Sequence, residues 1–154
     1  MRFPMLTSVR LSAAVVLLGA ALVSAEDKKA EADLKSVVGK WTVEKAELGG
    51  VDRTELFKAL KFEILEGAKY SVEIGKEKDE GTFTVDPAKS PKEIDITSTA
   101  GPNKGKLIKA IYKIDGDTLT VCYELGTDKG TRPEKFESKP KTAVFLVTYK
   151  REKK

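Results

Sequence analysis

The chain has 154 residues, with 28 basic against 24 acidic side chains and a net charge of +4. It has no histidine and a single cysteine, Cys122, which excludes an intrachain disulfide and removes the commonest general base, transition-metal ligand and triad partner together. Acids and bases alternate along the chain, the pattern of a mixed solvated surface and not of a phosphate-tracking stripe, so nucleic acid is not an expected partner.

Residues 1–25 read as a secretory signal peptide. Arg2 and Arg10 precede an apolar run from Leu11 to Leu22, and Val23, Ser24 and Ala25 offer a cleavage site after Ala25. The run is shorter than the roughly 20 residues needed to cross a bilayer, and the chain turns charged at Glu26-Asp27-Lys28-Lys29. A secreted protein is expected, placed in the periplasm, at the cell surface or outside the cell, with no membrane attachment after cleavage. The signal takes two basic residues and no acid, so the remaining 129 residues carry 26 basic against 24 acidic side chains, enough chain for one domain with a real core. Residues 26–33 read as a linker and 34–154 as the domain, opened by a short helix over Leu34 and Val37.

Beyond that helix the dominant pattern is period-two alternation, which puts successive side chains on opposite faces of a strand. The first strand carries Trp41 and Val43, and a phase slip before Ala46 and Leu48 places a bulge near Lys45. Gly49-Gly50 ends it. Asp52 with Glu55 then reads as the cap of a short helix over residues 53–59, with Leu56, Phe57 and Leu60 on one side. Strands follow on Leu60, Phe62 and Ile64; on Tyr70, Val72 and Ile74; and, after a charged turn from Lys76 to Gly81, on Phe83 and Val85. Asp86-Pro87 and Ser90-Pro91 precede a strand on Ile94 and Ile96, and Gly101 to Gly105 form a loop.

The sixth strand, Leu107 to Ile114, is apolar on both faces, with Ile108, Ala110, Tyr112 and Ile114 opposed to Leu107 and Ile111. Asp115-Gly116-Asp117 is a hairpin signal leading into Thr118 to Leu125. A loop from Gly126 to Lys141 precedes the last strand, on Ala143, Phe145, Val147 and Tyr149. Eight short strands with mostly hairpin connections predict an all-β fold, an eight-stranded antiparallel up-and-down barrel with a short helix between its first two strands; an open sandwich is the rival arrangement.

Gly39-Lys40-Trp41 at the start of the first strand resembles the Gly-x-Trp signature of lipocalins. A wider set extends the match: Asp33-Leu34, Tyr70-x-Val72, Gly81-Thr82-Phe83, Pro91-Lys92-x-Ile94-Asp95 and Gly101-Pro102-Asn103-Lys104-Gly105. It continues through Ile111-Tyr112, Asp115-Gly116-Asp117-x-Leu119, Cys122-Tyr123, Arg132-Pro133-x-x-Phe136 and Tyr149-Lys150-Arg151. Together these resemble an uncharacterised lipocalin-like family of small exported domains abundant in planctomycete bacteria. The resemblance implies a lipocalin-like barrel in an extracytoplasmic compartment. It also implies that Gly39, Trp41 and a basic residue late in the last strand form one structural unit, with Lys150 or Arg151 covering the indole; Arg151 is the better cation-π partner. Arg132 and Phe136 are expected to anchor the long loop on the barrel.

Trp41 reads either as a plug at the closed end or as the wall of a pocket. Tyr70, Phe83, Tyr112, Tyr123 and Phe145 are the candidate ligand-binding aromatics. Gly101 to Lys106 lacks the glycine spacing, hydroxyl residue and following helix of a phosphate-binding loop, so its glycines read as turn residues. Cys122 shares a strand face with Thr118, Thr120 and Glu124 and has no histidine to lower its pKa, which makes it a packed thiol. Glu77, Asp79 and Glu80, like Asp115 and Asp117, read as solvated hairpin tips lacking the spacing of a calcium loop. No enzyme activity, metal or cofactor is expected. The leading function is noncatalytic binding of a small, partly apolar molecule; the alternative is a protein-interaction module of the cell envelope, in which an envelope protein meets the outer face, where Leu107 and Ile111 need cover, or the 126–141 loop.

Overall fold

The computed structural model describes residues 23–126 and 131–154. The expected signal peptide therefore lies, but for its last three residues, outside the described residues. A helix α1 (Ala25–Val37) leads into nine strands and one further short helix: β1 (Gly39–Leu48), β2 (Val51–Asp52), α2 (Thr54–Phe57), β3 (Lys61–Leu65), β4 (Lys69–Ile74), β5 (Glu77–Asp86), β6 (Lys92–Ala100), β7 (Leu107–Asp115), β8 (Thr118–Glu124) and β9 (Val144–Arg151). Neighbours along the sheet pair antiparallel, and β1 also pairs with β9 from Trp41↔Arg151 to Leu48↔Phe145. That last ladder closes an eight-stranded lipocalin-like barrel, with β2 a two-residue spur on β1. Closure leaves no long sheet edge exposed.

The alternation read from the sequence becomes an inside and an outside. Phe62, Ile64, Tyr70, Phe83, Tyr112, Leu119, Val121, Phe145, Val147 and Tyr149 are buried in one cluster. The phase slip in β1 is real: the register against β9 shifts between Val43 and Lys45, so Val43 and Ala46 both reach the core.

Three segments differ from their expected shape. Residues 26–33 continue α1 instead of forming a linker, because Ser24 and Asp27 make a capping box and the Ala, Glu and Lys that follow are strong helix formers. The helix over 53–59 shrinks to one turn, with Asp52 accepting the Thr54 N–H at 2.8 Å and Leu56 63% exposed while Phe57 turns inward. The charged turn from Lys76 to Gly81 shrinks to Gly75-Lys76, and residues 77–80 are strand.

One end of the barrel is sealed. Trp41 is fully buried, and its indole N–H donates to the Val37 carbonyl at 2.9 Å. The Arg151 guanidinium lies 4.3 Å from the indole centroid and donates to the carbonyls of Val38 (2.6 Å) and Ser36 (2.5 Å) and to the Asp117 carboxylate (3.1 Å). Arg151, and not Lys150, is thus the covering residue. Gly39 sits under it: at φ 143° a side chain is strained, and a Cβ would lie 2.9 Å from Arg151 Nη1. Asp117, expected as a solvated tip, is exposed and also holds this guanidinium. Asp33 fastens the last turns of α1 by accepting from Lys92 and from the Tyr112 hydroxyl, both at 2.7 Å.

The segment from Thr131 to Ala143 straps the outer wall. Arg132 donates to the carbonyls of Ala110 (2.7 Å) and Ile94 (3.2 Å) and to the Asp95 carboxylate (2.6 Å). Phe136 lies under the Lys113 ammonium at 4.8 Å, and the Cys122 thiol meets the Lys135 carbonyl at 3.5 Å. Ser138 accepts from Gly50 at the turn after β1. These contacts run across Ile111, whose strand partners are Glu93 and Cys122, and explain why this outward-facing residue is 1% exposed. Burial pushes the Cys122 thiol above its ordinary value, as befits a packed thiol.

If the indole and its guanidinium hold the closed end, Trp41→Ala should cost about 3–5 kcal/mol of unfolding free energy. Denaturant titration checks this, and a loss below about 1 kcal/mol would mean that the indole is not a structural plug.

Candidate functional site

Above the plug the barrel is hollow. A cavity of about 270 Å³ runs toward the end opposite α1, lined by Val37, Leu60, Phe62, Ile64, Tyr70, Val72, Phe83, Val85, Ile94, Ile96, Ile108, Tyr112, Leu119, Val121, Tyr123, Phe145 and Tyr149. Toward the mouth the lining passes to Ile74 and Glu77 of the β4–β5 hairpin, Pro102 and Asn103 of the β6–β7 loop, and Leu125 after β8. All five aromatics singled out in the sequence, Tyr70, Phe83, Tyr112, Tyr123 and Phe145, line this space, whereas Trp41 does not.

One wall of this space is set by a glycine. Along β5 the inward positions are Glu77, Asp79, Gly81, Phe83 and Val85, and the central one has no side chain. A Cβ on Gly81 would collide with the Thr97 carbonyl and lie 2.8 Å from the Tyr70 ring, so the Tyr70 ring and the β6 backbone lie close against it. The aromatic rings then stand as walls. Phe145 packs between Phe57 and Tyr123, with centroids at 4.7 and 5.9 Å, and Phe62 meets Tyr149 at 4.8 Å.

Polar groups in this wall are few and placed. The Tyr70 hydroxyl donates to Asp79 Oδ2 at 2.9 Å, and the hydroxyl of buried Ser98 donates to Asp79 Oδ1 at 2.7 Å. The Tyr123 and Tyr149 hydroxyls share one hydrogen bond of 3.2 Å. Tyr112 reaches out of the cavity floor to Asp33 on α1. The charged composition of residues 76–80 imitates a turn and hides Asp79; counting back by twos from Phe83 through Gly81 places it on the inner face, and counting on from Ile94 and Ile96 places Ser98 there. The reading as a solvated tip is therefore corrected for Asp79, which is half-buried, whereas Glu77 lines the cavity mouth and stays exposed.

Searches against protein-family models and against curated proteins find no match for the chain.

All four tyrosines of the chain stand in this wall. Burial is the main cause that raises each phenol; Asp79 adds to it for Tyr70, Asp33 for Tyr112, and the Tyr149 and Tyr70 phenols for Tyr123. Tyr149 is pushed up to about 12. An unfolded chain releases these protons near pH 10, so above that pH the unfolded state binds fewer protons than the folded one and stability falls as pH rises. Tyrosinate absorbance should accordingly stay flat through about pH 10 and then rise cooperatively with loss of β-sheet circular dichroism. A phenol that ionises near pH 10 in the intact fold would show that the wall is wet.

Proposed function

We propose that this protein is an exported, noncatalytic binding domain that takes a small, partly apolar molecule into its barrel. The observation that carries the reading is the cavity itself: an apolar space with convergent aromatic walls and a few fixed polar groups is the usual form of a small-molecule site. Its volume of about 270 Å³ lies just under the roughly 300–1,000 Å³ of drug-sized pockets and above the ~150 Å³ apolar cavity that accepts benzene. A ligand of one ring or a short branched chain fits these limits. Export rests on the sequence of residues 1–25, and membership of the planctomycete lipocalin-like family rests on the motifs given above.

The alternative, an envelope protein-interaction module, drew on Leu107 and Ile111. The chain's own 131–143 segment covers Ile111, and only Leu107, at 47% exposure, is left to motivate docking on that face.

Filling the cavity separates the readings. Val72→Trp places an indole in the wall, with a cost of about 1–3 kcal/mol from overpacking, and should abolish binding of an environment-sensitive apolar dye while the far-ultraviolet circular dichroism stays native. Dye binding unchanged by the filled cavity would place the apolar site elsewhere and sink the carrier reading.

A further inference from the structure

The charge of the cavity is one-sided. Among its lining residues the carboxylic acids are Glu77 and Asp79, and no lysine or arginine lines it, although basic side chains outnumber acidic ones in the chain. The intervening Lys78 pairs with Glu80 at 2.5 Å, which keeps its ammonium away from the interior. Both groups that satisfy Asp79, the hydroxyls of Tyr70 and Ser98, are neutral. Among the described residues neither Asp79 nor Glu77 has an ion-pair partner. A carboxylate offers about four acceptor positions, and Asp79, which lines the cavity, uses two of them on these hydroxyls.

A hydrogen-bond donor stands on the opposite wall. Tyr123 and Tyr149 have two phenolic hydrogens and one hydrogen bond between them, so among the described residues one O–H of this pair has no acceptor. Tyr149 is 4% exposed and both rings line the cavity. A donor here makes at most a weak contact with the π face of an aryl ring.

We propose that the ligand of this barrel is an amphipathic amine, its ammonium held by Asp79 with Glu77 behind it at the mouth, and its small aryl or branched apolar body packed between Phe83 and Val121. The inference rests on the reading that the barrel takes a small molecule, and it names which kind. An ammonium here gains two charge-assisted contacts in a site walled by rings, whose negative faces also favour a cation. An anion would meet two like charges. A neutral alcohol of the same shape would keep the apolar contacts alone.

Calorimetric titration of the full mature chain with phenylbutylamine, phenylbutanol and phenylbutyrate, which share one apolar body, tests the idea. The amine should bind about 10- to 100-fold more tightly than the alcohol, the range that a hydrogen bond to a charged group supplies, and the acid should bind weakest. Asp79→Asn keeps an acceptor for Tyr70 or Ser98; it should bring the amine down to the alcohol's affinity and leave the alcohol within about twofold. Glu77→Gln, at an exposed position that the fold does not need, should give a smaller loss for the amine alone. Equal binding of amine and alcohol by the native chain overturns the proposal, as does an amine preference that survives both substitutions. Binding of none of the three overturns the small-molecule reading beneath it.

Discussion

The cation-π contact between Arg151 and Trp41 is the joint on which the rest of the molecule depends. It lies where the first and last strands pair, Trp41↔Arg151, so the residues that close the barrel around its circumference also close it at one end. The guanidinium does not stop at the indole. It collects the last carbonyls of α1 and the β7–β8 turn, and so binds sequence-distant elements through one side chain. Its carbonyl partners lie where the helix ends and backbone acceptors lack intrahelical donors. A planar fork with five donors suits this task in a way that lysine does not.

Sealing one end lets the other be hollow. A small barrel of about eight strands either fills its interior with side chains or leaves room for one small ligand, and Gly81 sets how close one wall ring lies to the strand. Its missing side chain lets the Tyr70 ring lie flat against the wall, where Asp79 and Ser98 hold its hydroxyl. The remaining tyrosines are likewise tied at their tips, Tyr112 to α1 and Tyr123 to Tyr149. Rings fixed at both ends cannot collapse into the space between them. The long 131–143 segment contributes from outside, covering Ile111 of β7 and Cys122 of β8, which are buried although they face away from the interior.

Much of this was legible in the sequence. Alternation runs through Tyr70, Phe83, Tyr123 and Phe145, and a period of two assigns their faces; Tyr112 lies on a strand apolar on both faces and shares the phase of Ile108, Ala110 and Ile114. The unit of Gly39, Trp41 and a basic residue late in the last strand was legible through the lipocalin resemblance, which left Lys150 and Arg151 open and which the geometry resolves to Arg151. What escaped were polar residues with interior positions. Asp79 sits in a run of charges, Glu77-Lys78-Asp79-Glu80, whose composition imitates a loop; only its register against Val72 turns Asp79 inward. Asp33 lies in a helix with no apolar stripe, and its partners Lys92 and Tyr112 are remote in sequence. Asp117 is exposed at the β7–β8 tip, and its bond to Arg151 escaped because that partner is 34 positions away. Hydrophobic patterning locates a core; it does not reveal which charges that core holds.

The account stands or falls on the barrel being plugged at one end and empty at the other. A crystal of the mature protein under xenon pressure measures this directly, since xenon enters dry apolar cavities and leaves packed cores alone. The account requires xenon density between Phe83, Val121 and Tyr112, with none around Trp41. An interior without xenon, occupied by repacked side chains, would contradict it.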